Sequence, residues 1–87
     1  MVTVFNTHEV KDFNFWKEQF EAGAENRKRA GINVTGVFQD DTNPNKLTVV
    51  SEVMDVETAQ AYMANLRPIM EKIAVGEPHI TMQHKIM

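Results

Sequence analysis

Twice along these 87 residues a stretch of alternating apolar and polar side chains gives way to one in which the apolar ones recur every three or four positions, and then returns to alternation. A period of two marks a strand with one buried face; a period near 3.6 marks a helix with one buried stripe. Two consecutive strand-helix-strand units admit few folds. With right-handed crossovers they close into a four-stranded antiparallel sheet in spatial order 4-1-3-2, with both helices on one face and the other face bare. The expectation is a single α+β domain over residues 1–87, of β-α-β-β-α-β order.

The first strand is read from Val2-Thr3-Val4-Phe5-Asn6-Thr7-His8-Glu9, rich in β-branched residues. Asp12 offers an N-cap, and Phe13, Trp16, Phe20, Gly23 or Ala24, and Arg27 follow at helical spacing until Gly31, a C′ residue free to take positive φ. Ile32 to Phe38 and Leu47 to Val53 form a hairpin around the turn formers Asp40-Asp41-Thr42-Asn43-Pro44-Asn45. Asp55 caps a second helix with Ala59, Tyr62, Met63 and Leu66 inward. Since proline opens helices more readily than it continues them, Pro68 is expected to start a new short helix, Ile69 to Val75, which Gly76 and Pro78 end. Ile80, Met82, His84 and Ile86 alternate with Thr81, Gln83 and Lys85 in a last strand.

A chain of this length buries only roughly 60% of the surface its unfolded form exposes, so a partner subunit is an expected supplement. There is no cysteine, which excludes disulfides and thiolate metal sites. The first ten residues lack the pattern of a signal peptide and no apolar run reaches the ~18 residues of a membrane span, so a soluble protein of the cytoplasm is expected. The net charge is −3, and the one basic cluster, Arg27-Lys28-Arg29, follows Glu18, Glu21 and Glu25, which speaks against nucleic acid. Glu25, Arg27, Lys28 and Arg29 read as a solvated helix face whose cations suit the helix C-terminus. Nucleophile-elbow, dinucleotide and phosphate-loop motifs are absent, and no histidine spacing suggests a metal site.

Val10-Lys11-Asp12-Phe13 with Trp16, the Asp40-Asp41 and Pro44-Asn45 hairpin, and the run from Leu66 through Met70 to Val75-Gly76-Glu77-Pro78 resemble a bacterial branch of the dimeric α/β barrel superfamily, near the antibiotic biosynthesis monooxygenase-like proteins. The resemblance spans nearly the whole chain. It implies a ferredoxin-like fold, a homodimer joined through the bare sheet faces, and a ligand pocket between helices and sheet. Haem-degrading members of the superfamily use a histidine on the second helix; Val56 to Val75 contains none, and no cofactor is expected.

Strand parity assigns Val2, Val4, Asn6 and His8, then Ile32, Val34, Gly36 and Phe38, then Leu47, Val49, Ser51 and Val53, and finally Ile80, Met82, His84 and Ile86 to the helix-facing side. Asn6, His8, Ser51 and His84 are the polar exceptions, and such groups must be hydrogen-bonded, near a rim, or facing a cavity. Asn6, His8 and His84 are the candidate catalytic residues, the histidines because an imidazole titrates near neutrality and moves protons both ways. Trp16, Phe20, Tyr62 and Ser51 are the candidate ligand contacts, with Met63 beside them. The bare face, Thr3-Phe5-Thr7, Asn33-Thr35-Val37, Thr48-Val50-Glu52 and Thr81-Gln83-Lys85, is assigned to the partner subunit. Two functions remain open on the sequence: a small-molecule-binding dimer with monooxygenase-like or isomerase-like chemistry on an aromatic or polyketide-like substrate, and a non-catalytic dimer whose helix–sheet gap is filled.

Overall fold

A computed structural model describes residues 1–87. The elements are β1 (Val2–Val10), α1 (Phe13–Ala22), α2 (Ala24–Arg29), β2 (Asn33–Gln39), β3 (Lys46–Val53), α3 (Val56–Ile73) and β4 (Ala74–His84). The strands form one antiparallel sheet in the order β2-β3-β1-β4, as the doubled strand-helix-strand order requires. The helices cover one face, giving the ferredoxin-like α+β fold.

Both expected caps form. The Asp12 carboxylate accepts the backbone N–H of Asn14 at 2.9 Å and of Phe15 at 3.2 Å. The Asp55 carboxylate accepts the N–H and the hydroxyl of Thr58, each at 2.7 Å, and these bonds, the hydroxyl's first, hold its pKa below the usual carboxylate value. Asn45 ties the hairpin loop to the start of α1 by accepting the Phe13 N–H at 3.1 Å. That bond fixes the entry of the helix that carries Trp16.

Four details depart from the sequence reading. The first helix is broken at Gly23, whose ψ of 1° lies outside helical geometry and turns the chain into α2. Pro68 does not open a new helix, because α3 runs unbroken from Val56 to Ile73. The apolar stripe keeps its phase across the proline, so burial of Ile73 and partial burial of Leu66 and Met70 offset the roughly 3 kcal/mol that an interior proline costs. Gly76 and Pro78 do not end a helix either. They lie in β4, which starts directly after Ile73, and mark an irregularity where the β1 register shifts from Thr7↔His79 to Glu9↔Val75. Gly76 supplies the positive φ of 73° found there, and a proline is tolerated where the ladder is already interrupted.

The fourth departure lies in β2. Val34 pairs with Ser51 but Gly36 pairs with Val50, so a bulge at Thr35 inverts the parity of the rest of the strand. Gly36 and Phe38 therefore belong to the bare face and Val37 to the side of Val49, the reverse of the alternation read from the sequence. Phe38, 57% exposed, lays its ring over Gly36, where an added Cβ would come within 2.8 Å of it. With Phe5 and Val50 it gives the bare face an apolar centre, flanked by Thr7 and Thr48, whose hydroxyls lie 3.0 Å apart.

The core divides into two clusters at opposite ends of β1. Val2, Val4, Ile32, Val53 and Ala59 form one; Val10, Trp16, Leu47 and Ile73 form the other. Between the two, on the same face of β1, stand Asn6 and His8.

Candidate functional site

A cavity of about 550 Å³ opens between helices and sheet. Asn6 and His8 interrupt the apolar face of β1 along its floor. Opposite them Trp16 and Phe20 come from α1, and Tyr62, Met63 and Met70 from α3. Ser51, buried on β3, completes the polar lining near Val4.

The aromatic wall is ordered. The Trp16 ring lies 4.8 Å from that of Phe20 and 6.0 Å from that of Phe13, nearly parallel to both, and 5.9 Å from the His8 imidazole at 54°. Spacing of three and four on α1 places all three rings on one stripe.

His8 is 5% exposed, and neither ring nitrogen has a hydrogen-bond partner; the side-chain oxygen of Asn6 is likewise buried and unpartnered. A buried polar atom without a partner costs about 1–3 kcal/mol, and native structures contain few. Here three belong to adjacent residues of one strand face and border one cavity. Desolvation lowers the His8 pKa below its ordinary 6.5; the Asn6 backbone carbonyl, near the ring but outside the geometry of a satisfied hydrogen bond, opposes this by less. The ring is therefore neutral at neutral pH, offering one donor and one acceptor, with the Asn6 oxygen as a second acceptor.

The structure brings Asn6, His8, Trp16, Phe20, Tyr62 and Ser51 together around this cavity. His84 is not among them. It pairs with Val2 at the end of β4, an edge strand of the sheet, and is exposed. The gap between helices and sheet is open rather than filled, and no group of three or more His, Asp or Glu stands where it could hold a metal ion. No helix is long and apolar enough to cross a membrane.

Arg27 carries two readings in the sequence, a place on the apolar stripe of the first helix and one on a solvated face. Grouped with Glu25, Lys28 and Arg29 as a solvated face, it in fact lies half-buried on the cavity wall, its guanidinium 3.8 Å from the centre of the Phe20 ring. The signal was its place seven residues after Phe20 on the apolar stripe.

No protein-family model matches the chain, and no curated protein matches it in sequence. Solved structures do. A protein described as "putative antibiotic biosynthesis monooxygenase" from Nitrosomonas europaea superposes with a TM-score of 0.77 at 14% identity, over 100% of both chains. One so described from Bordetella bronchiseptica gives 0.79 at 14%, covering 99% of this chain and 97% of that one. A NIPSNAP domain protein from Burkholderia xenovorans gives 0.69 at 9%, covering 98% and 94%. At these identities the likeness is one of backbone architecture, and the chain shares the ferredoxin-like fold of structures named for antibiotic biosynthesis monooxygenases.

Proposed function

We propose that this chain binds a flat, largely apolar hydroxyaromatic molecule between its helices and sheet, and acts on it as a cofactor-free oxygenase with His8 as general base. The observation that carries this reading is the set of three buried polar atoms of Asn6 and His8, without partners, beside a cavity walled by Trp16, Phe20 and Tyr62. An apolar pocket with a few convergent polar groups is the usual form of a small-molecule site. A phenolic hydroxyl meets the first of these needs by donating its proton to the unprotonated nitrogen of a neutral His8, while a second polar group on the ligand answers the ring N–H and Asn6 takes a further donor. The fold shared with proteins named as monooxygenases adds weight to the oxygenase over the isomerase.

In the proposed reaction His8 takes the hydroxyl proton, and the phenolate carbon para to it gives an electron pair to dioxygen as a C–O bond forms. The returned proton makes the hydroperoxide. Loss of the hydrogen on that carbon with cleavage of the O–O bond then leaves a quinone and one water. The protein contributes position, exclusion of water and one base. With 1-naphthol as probe, quenching of Trp16, the single tryptophan, should report binding in the micromolar range, and one dioxygen should be consumed per 1,4-naphthoquinone formed. Absence of binding would overturn the whole reading; binding without oxygen uptake would overturn the oxygenase half.

The same reading makes the protein a cytoplasmic homodimer, joined through the bare sheet face, whose centre of Phe5, Val50 and Phe38 suits a second copy of itself. Light scattering at micromolar concentration is expected to give twice the 9.9 kDa of one chain, and a mass near one chain counts against it.

A further inference from the structure

The Arg27 guanidinium has no carboxylate partner: the one ion pair of the chain joins Lys17 to Glu21, exposed on α1 at 3.9 Å. Nor do its N–H groups reach any protein oxygen. It is held instead by the ring of Phe20, at 3.8 Å, and Phe20 stacks on Trp16, which lies against His8. Gly23 leaves room for this, since a Cβ there would stand 3.1 Å from an Arg27 Nη. Gly23 stands at the junction of α1 and α2, between Phe20 and Arg27 in the chain.

Arg27 also lies at an entrance. A second, shallower depression outside α2 shares Arg27, Ile32 and Val34 with the cavity, so this arginine stands on the boundary between the two. The other charged side chains of the cavity lining are Arg67, Glu71 and Glu77, all exposed; none is paired with Arg27. A stacked guanidinium keeps its charge and presents its planar fork edge-on, the geometry that receives a carboxylate through two parallel bonds.

We infer that Arg27 is a specificity residue that receives the carboxylate of the ligand, so that the substrate class is a hydroxyaryl carboxylate, its hydroxyl toward Asn6 and His8 and its acid group at the mouth. This rests on the reading of the cavity as a hydroxyaromatic site. A neutral ligand would leave the guanidinium without an acceptor; an anionic one completes it and is oriented by it, hydroxyl inward.

The test compares 6-hydroxy-2-naphthoate with its methyl ester, the same ring system without the charge, by titration calorimetry at pH 7 and low salt. The wild-type protein should bind the acid at least tenfold more tightly than the ester. Arg27→Gln should bring acid and ester to equal affinity, and continued binding of the ester reports that the cavity is intact. Arg27→Lys should retain part of the preference, having the charge but not the fork, and Arg29→Gln, an exposed arginine of α2 outside the cavity, should retain all of it. If acid and ester bind the wild type equally, or the preference survives Arg27→Gln, the role of Arg27 is wrong and the hydroxyaromatic site stands. If neither ligand binds, the site itself is wrong, and the inference with it.

Discussion

His8→Leu is expected to make the protein more stable and unable to bind a hydroxyaromatic ligand. The gain should be about 1–2 kcal/mol at pH 7, because the substitution removes two buried nitrogens that have no partner and puts a side chain of similar volume against Trp16 and Leu47. The direction sets it apart from the usual core substitution, which destabilises. The variant should also change the response to acid. Burial lowers the His8 pKa in the folded protein, so below pH 6.5 the unfolded chain takes up a proton that the folded one resists. The contribution of His8 to stability is thus fully present above pH 6.5 and is lost as pH falls through its lowered folded value. Urea unfolding from pH 7 to pH 5 should show this loss in the wild type and not in His8→Leu. A variant less stable than the wild type at pH 7 would mean that the imidazole is satisfied, which removes the ground for assigning it a ligand.

Leu47→Ala should act in the opposite sense and more strongly. Leu47 is 0% exposed, lies beside His8 in the β1–β3 ladder, and belongs to the cluster of Val10, Trp16 and Ile73. Truncating so enclosed a leucine costs about 2–5 kcal/mol. Domains have roughly 0.05–0.15 kcal/mol of stability per residue, so in a chain this short that is a large share of the total. A fall in melting temperature of more than about 10 °C is expected, readable by circular dichroism. Ile86, 89% exposed and beyond the last strand, is the control: Ile86→Ala should leave the melting temperature unchanged.

The order of elements, the strand order and both helix caps were legible because each depends on local chemistry: periodicity for the strands and helices, a carboxylate at Asp12 and at Asp55 for the caps. Parity also placed Asn6, His8 and Ser51 on the helix side of the sheet, where they are found. It failed wherever the ladder itself is irregular. Nothing in Asn33-Val34-Thr35-Gly36-Val37-Phe38 announces that Thr35 is the extra residue, and every side chain after it changes face. His84 shows a different limit, since parity gives the face of a residue but not whether an edge strand is covered there: its partner Val2 on β1 is buried while His84 itself is exposed. Pro68 misled because its local cost was judged without the packing that Leu66, Met70 and Ile73 provide on either side of it. Arg27 has a charge that suits a solvated face and a spacing from Phe20 that suits the buried stripe, and the second decides its place.

The division of the core into two clusters has a consequence for how such a chain can change over generations. Along β1, Val2 and Val10 hold the fold, Asn6 and His8 border the void, and Val4 does both, all as neighbours on one face. A mutation at Asn6 alters the polarity of the void while Leu47 and Val53 stay enclosed in their own clusters, whereas Tyr62 and Met63 also pack against the cluster that holds Val53. Ligand preference can therefore drift while the scaffold is conserved, because inheritance acts on the two through different positions of a single strand.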